Sequence, residues 1–460
     1  MLNLFRRNRS SLVATFKRPI SRAGVWGKSQ TPSPLARQDL RGRILEPRFF
    51  SSNAASEETA PPLAPPMVGH WLLLSSTLVF AVIVVGGVTR LTESGLSITE
   101  WRPITGILPP LSEDAWMEEF RKYQATPEFK MLNHNISLEE FKSIFYMEWG
   151  HRVLGRVIGI TFVLPFAYFG LRKKLPARLV GRLTFLGALI GVQGIIGWYM
   201  VKSGLEESIM HTPGAVPRVS QYRLAAHLGT AFLLYAAMFY EGLAILLDSR
   251  YAHGGPWSGT KESWRRVLEN PLVKHFKLGA IGLTCLVFLT ALSGAFVAGL
   301  DAGLVYNEFP MMGNHIVPPT DELFDPAYAK SPDLSDLWWR NLLENPTTVQ
   351  FDHRVLAMTT YVCTGILFAT TRSPSLRKAL PPATRRMASV AFGMANIQVL
   401  LGISTLLYLV PVPLAAAHQA GSVALLTTVV HTLLTLRKPG RSAHFWRQVW
   451  EKGQAGSKAR

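Results

Sequence analysis

The stretch EWGHRVLG at residues 148–155 stands at the start of a long apolar run, and a second copy follows about two hundred residues later. The second copy is QFDHRVL at residues 350–356, and it also opens an apolar run. A histidine with the same followers at the same end of two hydrophobic segments indicates two metal-binding halves that arose by duplication. One position differs: Glu148 becomes Gln350, so only the first copy has an ionisable carboxyl.

The repeat extends to a second histidine in each half. His227 ends the string LAAH and His418 ends the matching string AAAH. Further pairs share nearly the same offset: Gln193 with Gln398, Gly87 with Gly294, and Pro109-Pro110 with Pro318-Pro319. An even number of spans in each half would give the halves the same orientation, related by an axis along the membrane normal.

The composition is typical of an integral membrane protein. Of the 460 residues, 48% are hydrophobic and only 17% are charged, and the apolar residues form blocks as long as a membrane-crossing helix, which needs about 20 residues. The net charge of +18 does not indicate nucleic-acid binding, because the basic residues lie in the N-terminal tail and in short loops. The expected environment of the apolar blocks is membrane lipid.

Eight membrane spans are predicted, four in each half. The predicted fold is an all-α integral membrane protein whose eight transmembrane helices form two tandem, pseudo-symmetric four-helix bundles. The predicted spans are residues 70–90, 150–171, 179–201, 222–247, 275–299, 350–371, 386–409 and 414–436.

The N-terminal tail has the composition of a mitochondrial transit peptide. Residues 1–50 are rich in Arg, Lys and Ser and contain only two acids. The string RFFSS at residues 48–52 resembles a processing site with cleavage after Phe50, and a merely disordered basic tail is the alternative. Residues 51–66 contain four prolines and are interpreted as a linker.

The connections between spans alternate in charge. Short basic loops alternate with the two long acidic loops, residues 91–148 and 300–349. The positive-inside rule then predicts a multi-pass inner-membrane protein with both termini in the matrix and the acidic loops in the intermembrane space. The predicted segments are a transit peptide (1–50), a linker (51–66), an N-terminal half (67–248), a matrix connection (249–273), a C-terminal half (274–440) and a basic matrix tail (441–460).

Four histidines are the candidate metal ligands. His151 and His227 in one half, and His353 and His418 in the other, all start their spans from the intermembrane-space side. Two imidazoles at similar depth on helices of one bundle are what axial ligation of a heme iron requires. A hydrogen-bonded packing role is the alternative for any single one of them, and the duplication argues against it.

The carboxyl of Glu148 is the candidate catalytic group. It lies three residues before His151, so the two share a face of a helix. There it could accept a proton from bound substrate or stabilise a nearby positive charge, whereas the alternative is a solvated acid at a helix N-terminus. Arg152 and Arg354 could pair with heme propionates or extend to the membrane surface.

These strings together resemble the heme A synthases of mitochondria. The string GGVTRLTESGLS at residues 86–97, then EWGHR at 148–152, then HRVL at 353–356 carry the resemblance, which covers roughly residues 67–440. Bacterial members have a paired-cysteine motif in the first outer loop, but residues 91–148 contain no cysteine. How that loop handles substrate or electrons is therefore left open.

The resemblance implies an oxidoreductase that converts heme O to heme A for cytochrome c oxidase. It implies that the C8 methyl becomes a formyl group through successive hydroxylations with water as the oxygen source. His151 and His227 would hold the substrate heme O, with Glu148 acting on it. His353 and His418 would hold a resident heme b that receives the electrons. The implied partners are a ferredoxin-type electron protein and heme O synthase, and the oligomeric state is open, a homo-oligomer included.

Two other functions agree with paired histidines in a membrane. A di-heme cytochrome would relay electrons without changing either heme, and it would contain only b-type heme. A heme carrier would bind heme without any chemistry. The identity of the extracted hemes separates these functions from the enzyme.

Overall fold

The computed structural model describes residues 61–102, 106–211 and 215–458, which are helical and contain no β-strand. The predicted transit peptide, its cleavage after Phe50 and the linker up to residue 60 lie outside the described residues. The long helices are α1 (Pro66–Leu91), α2 (Leu138–Leu171), α3 (Ala177–Gly204), α4 (Gln221–Ala252), α5 (Pro271–Gly299), α6 (Pro346–Thr370), α7 (Pro382–Leu407), α8 (Val412–Thr435) and a terminal α9 (Arg441–Lys458).

Short helices occupy the connections, most of them in the two long acidic loops. Ser112 and Thr126 cap the first two of them, each accepting a backbone N–H with its hydroxyl oxygen. The short helices are Glu113–Gln124, Pro127–Met131, Glu207–His211, Trp264–Glu269, Ala302–Leu304, Thr320–Leu323, Pro326–Tyr328, Leu337–Glu344 and Pro374–Ala379.

Seven helices of the described chain, α1 to α5, α7 and α8, are long and apolar enough to cross a membrane. The predicted span at residues 350–371 also forms a helix, α6, but this helix is not among the seven. Asp352, His353 and Arg354 lower its apolar character near its outer end. The all-helical class is therefore confirmed, together with seven of the predicted spans.

Helix α2 begins well before the predicted start of its span at residue 150. Ser137 and Glu140 form a capping box, in which the Ser137 hydroxyl accepts the Glu140 N–H and the Glu140 carboxylate accepts the Ser137 N–H. The helix therefore starts at Leu138, and Glu148 and His151 lie inside it. The interpretation of Glu148 as a solvated acid at a helix N-terminus is wrong, since the residue lies within α2 and its side chain is buried.

The helices pack in the same order in both halves. Helices α2 and α4 contact α1, and α3 contacts α2 and α4; likewise α6 and α8 contact α5, and α7 contacts α6 and α8. Helices α1, α4, α5 and α8 form the contact between the halves, where Phe232, Met238 and Val423 are fully buried. Leu278 and Leu400 are examples of large apolar side chains exposed on the outer perimeter, as lipid contact requires.

Candidate functional site

His151 on α2 and His227 on α4 face each other within the N-terminal half. Their ring centroids are 6.5 Å apart, and the ring planes are at 79° to each other. Two imidazoles on opposite sides of one metal ion, with metal–nitrogen bonds of roughly 2 Å, have centroids about 6 Å apart. The spacing of this pair therefore suits an iron between the two rings.

Glycines on the two other helices of this half lie against the imidazoles. A Cβ atom at Gly86 on α1 would lie 2.9 Å from Nε2 of His151, and one at Gly197 on α3 would lie 3.4 Å from Cε1 of His227. A side chain at Gly86 would press on the ring, so glycine there leaves the imidazole room to adopt its position. The sequence repeat identified neither glycine as part of a site.

His353 on α6 and His418 on α8 form the corresponding pair in the C-terminal half. A Cβ at Gly294 on α5 would lie 3.2 Å from Cε1 of His353, and one at Gly402 on α7 would lie 2.8 Å from Cε1 of His418. Each half thus has two helices that carry a histidine and two helices with a glycine at the ring.

The ring nitrogens of the C-terminal pair have side-chain partners. The hydroxyl of Ser293 is 2.7 Å from Nδ1 of His353. The amide nitrogen of Gln398 is 3.1 Å from Nδ1 of His418 and also donates to the backbone oxygen of that histidine at 2.9 Å. The sequence analysis paired Gln193 with Gln398 but predicted no contact for either, and it did not single out Ser293.

The chemistry of both pairs suits a heme iron, and the spacing of His151 and His227 agrees with it. Nδ1 of His227 is buried and has no hydrogen-bond partner, and a heme bound through Nε2 would leave it unchanged. A porphyrin supplies four of the six iron ligands, so two imidazoles complete the set. Within the described residues, no group of three or more His, Cys, Asp or Glu side chains is arranged to hold a metal ion.

Glu148 is buried, at 2% exposure, and is fixed by four hydrogen bonds. Its Oε2 accepts from the Ser97 hydroxyl and the Ile98 N–H, both at 2.8 Å. Its Oε1 accepts from Nη2 and Nε of Arg152 at 2.6 and 3.1 Å. The carboxylate therefore joins α2 to the start of the first outer loop and carries its negative charge within a fixed set of donors.

Gln350 takes the same place in the C-terminal half with a neutral amide. It is 3% exposed, and its amide donates to the carbonyl oxygen of Tyr306 at 3.0 Å. Arg354 donates to the carbonyl oxygens of Tyr306 and Met311 at 3.0 and 2.9 Å. Both halves thus attach the outer loop at this position, and only the N-terminal half does so with a buried negative charge.

A second buried carboxyl lies in the first outer loop, and the sequence analysis missed it. Glu128, on the short helix Pro127–Met131, is 4% exposed, and its Oε2 has no hydrogen-bond partner. Burial raises the pKa of this carboxyl to about 8, and the nearby charges of Glu148 and Glu93 add to the rise. In the sequence it is indistinguishable from an ordinary acid in the first turn of a helix.

Known proteins resemble this chain over most of its length. Residues 69–430 match the family model COX15-CtaA, described as cytochrome oxidase assembly protein. Heme A synthase COX15 of Saccharomyces cerevisiae is 43% identical over 432 residues, which cover 93% of this chain and 86% of the relative. Heme A synthase COX15 of Homo sapiens is 45% identical over 413 residues, covering 90% of each.

A further relative contains an additional protein within the same chain. It is a heme A synthase-mitochondrial ferredoxin fusion protein of Schizosaccharomyces pombe, 48% identical over 364 residues. These residues cover 79% of this chain and 59% of the fusion protein. Because the family model matches residues 69–430, most of the chain from α1 to α8, the chain belongs to the COX15-CtaA family of cytochrome oxidase assembly proteins.

Proposed function

We propose that this protein is a heme A synthase of the mitochondrial inner membrane. The observation that carries the proposal is the His151–His227 pair, whose ring centroids are 6.5 Å apart, together with the buried carboxylate of Glu148 on the same helix as His151. The C-terminal half has the neutral amide of Gln350 in place of this carboxylate. The names of the relatives support the same activity. Both termini would lie in the matrix and the histidines toward the intermembrane space, as the positive-inside rule predicts.

The proposed architecture has eight spans in two pseudo-symmetric four-helix bundles, with α6 as the eighth span. Its 25 residues reach about 38 Å as an α-helix, which exceeds a hydrocarbon core of about 30 Å. The polar residues near its outer end would face the interior of the bundle, where His353 meets Ser293. The equal packing order of the two halves supports this arrangement.

The substrate in this proposal is heme O, held between His151 and His227. Its C8 methyl is oxidised to a formyl group in successive hydroxylations. Each hydroxylation takes an oxygen atom from water and releases two electrons and two protons, and the doubly hydroxylated carbon then loses water. The reaction makes the protein an oxidoreductase that acts on a C–H bond.

Glu148 would stabilise the positive charge that develops on the methyl-derived carbon. Its carboxylate is already held by Ser97, Ile98 and Arg152, so it does not reorganise when charge develops. The same bonds occupy both carboxylate oxygens, which favours this electrostatic role over that of a general base. Glycine at Gly86 lets His151 keep its place beside α1.

The resident cofactor in the proposal is heme b, with His353 and His418 as its ligands. When bound, heme b supplies one-electron redox chemistry next to the substrate half. Ser293 and Gln398 orient the two imidazoles for it. A ferredoxin-type protein is the proposed electron partner, since one relative is fused to a mitochondrial ferredoxin, and heme O synthase is the proposed supplier of substrate.

Extraction and identification of the bound hemes tests the proposed function. The full-length protein, purified in nanodiscs, is expected to yield heme b together with heme O or heme A. Added heme O is expected to become heme A when a ferredoxin-type electron acceptor is present. Heme b alone in two equal sites, with no conversion of heme O, would instead identify a di-heme cytochrome.

A further inference from the structure

The hydrogen bonds around His353 determine which of its ring nitrogens carries the proton. The Ser293 hydroxyl donates to the carbonyl oxygen of Thr290 at 2.8 Å, so toward His353 it offers a lone pair. Nδ1 of His353, at 2.7 Å, is then the donor. The neutral ring has its other nitrogen, Nε2, free to bind a metal ion.

His418 is held by an amide that reaches it across a glycine. Gln398 on α7 contacts both Nδ1 and the backbone oxygen of His418. Its Oε1 lies directly against Gly421, where a Cβ atom would collide with it. The glycine thus opens the path of the Gln398 side chain to the ring. A half-turn of the amide would present Oε1 to the same Nδ1 when that nitrogen carries the proton, at the cost of the hydrogen bond to the backbone oxygen of His418.

The matching glutamine in the N-terminal half is turned away from its histidine. Gln193 donates to the hydroxyl oxygen of Thr230 at 2.5 Å, and Thr230 donates to the carbonyl oxygen of Ala226 at 2.6 Å. Thr230 is three residues after His227, as Gly421 is three residues after His418. Nδ1 of His227 is left buried without a partner.

His151 also lacks the hydroxyl that its counterpart has. The repeat that pairs Gly87 with Gly294 places Gly86 opposite Ser293. Gly86 has no side chain to offer, and within the described chain neither ring nitrogen of His151 has a hydrogen bond. Each half therefore has a matching pair of imidazoles, but the halves differ in whether a side chain holds each ring.

We propose that Ser293 and Gln398 are positioning residues that make the C-terminal imidazoles permanent heme ligands, and that Gly86 and Thr230 leave the N-terminal pair exchangeable. This inference rests on the proposed function, in which one heme stays and the other enters and leaves in each cycle. A hydrogen bond that the second ring nitrogen donates, as Nδ1 of His353 does toward Ser293, fixes the orientation of the ring and makes the ligand more basic. Loss of such a bond typically lowers metal affinity about 10–100-fold.

The rate at which heme b leaves the purified full-length protein tests the proposal. Transfer to added apomyoglobin is expected to be about ten-fold faster or more in Ser293→Ala than in the original protein. The midpoint potential of the heme b is expected to rise, because a less basic imidazole stabilises ferric iron less. Ser293→Thr keeps the hydroxyl and is expected to restore both values.

Ser389→Ala is the matched control, since Ser389 donates to the carbonyl oxygen of Arg385 at 3.0 Å and does not bond a histidine. Equal heme release and equal potential in Ser293→Ala and Ser389→Ala would overturn the proposal. The measurement follows heme b alone, so it remains decisive even if the N-terminal pair binds no heme O. Failure of the proposed function would instead show as the absence of heme O and heme A from the original protein.

Thr230→Gly tests the other half of the proposal. Glycine removes the hydroxyl and, as at Gly421, the side chain that stands in the path of the glutamine, so Gln193 loses its partner and can turn to the free Nδ1 of His227. Release of heme O or heme A to apomyoglobin is expected to become slower, while release of heme b stays the same. Unchanged or faster release from the N-terminal pair would contradict the exchange role of Thr230.

Discussion

The two halves of this protein have the same helix packing and the same pair of imidazoles, yet their polar surroundings differ at a few positions. In the N-terminal half the outer loop is fastened by the carboxylate of Glu148, whereas in the C-terminal half the amide of Gln350 fastens it. In the C-terminal half Ser293 bonds an imidazole, whereas its counterpart in the N-terminal half, Gly86, has no side chain to do so. In the proposed function, this difference teaches that single side chains divide a duplicated fold between a substrate heme and a cofactor heme.

Loss of an iron ligand is expected to have the largest effect on this division. His418→Ala removes a proposed ligand of heme b, so turnover of heme O to heme A is expected to fall by more than about 100-fold. His431 lies on the same helix, α8, and its ring packs edge-on against Phe239 at 6.3 Å. His431→Ala is the matched control and is expected to keep turnover within about three-fold of the original, as a change away from the iron. Similar losses in both variants would contradict the assignment.

The charge of Glu148 is expected to have the next largest effect. Glu148→Gln should lower turnover by about 10²–10³-fold, the usual loss when a fixed electrostatic group is removed. Heme content should stay the same, because Gln350 shows that an amide at this place is compatible with the loop attachment. The reciprocal change Gln350→Glu should leave turnover almost unchanged. If Glu148→Gln forms heme A at the rate of the original protein, the catalytic role of Glu148 is contradicted.

The outer loops of the halves also differ in the state of their buried carboxyls. In the first loop, burial raises the pKa of Glu128 to about 8. In the second loop, burial opposes ionisation of Asp336, but hydrogen bonds from Arg340 and from the backbone N–H groups of Lys330 and Ser331 hold its pKa at about 2. Of these two carboxyls, only Glu128 is therefore expected to change its charge near neutral pH.

This difference predicts a pH dependence of stability. A carboxyl whose pKa is raised by folding from 4.5 to about 8 stabilises the fold below pH 4.5, and this contribution is lost as the pH rises to 8. The melting temperature of the protein should fall between pH 5 and about 8.5. Glu128→Gln should show a smaller fall, because the amide cannot ionise. If the melting temperature falls equally with pH in both proteins, a group other than Glu128 is responsible for the fall.

The ion pairs that join the halves are expected to have the smallest effects. Arg90 of the N-terminal half bonds Asp301 of the C-terminal half at 2.8 Å, but Asp301 is 46% exposed. Asp301→Asn should therefore cost about 0.2–1 kcal/mol of unfolding free energy. Asp248 accepts two bonds from Arg437 and is more buried, so Asp248→Asn should cost more. Thermal unfolding compares the two, and a larger loss in Asp301→Asn would contradict this ranking.

The sequence was sufficient for features that repeat or that depend on local hydropathy. The helices arise where apolar runs predict them, and the strings around His151 and His353 established the register that also pairs His227 with His418. The start of α2 was misjudged because its first three turns mix apolar residues such as Phe141 and Phe145 with charged ones and form no apolar run, although the capping box at Ser137 was a local signal. Hydropathy defines the membrane-crossing part of a helix, which in α2 is shorter than the helix itself.

Contacts between distant residues could not be predicted from the sequence. Burial of Glu148 depends on Ser97 and Ile98, some fifty residues earlier, and no pattern indicates that they meet. Thr230 and Gly421 are one of several mismatches between the repeats, and their effect on Gln193 and Gln398 depends on side-chain paths between helices. The structural effect of such differences can be recognised only when the packing of the helices is known.

The heme content of His227→Ala tests the division of labour most directly. The variant, purified at full length in nanodiscs, is extracted and its hemes are separated and identified. The account predicts that heme b remains at the level of the original protein while heme O and heme A are absent. Retention of heme O or heme A with loss of heme b would contradict it, because the N-terminal imidazoles would then hold the cofactor.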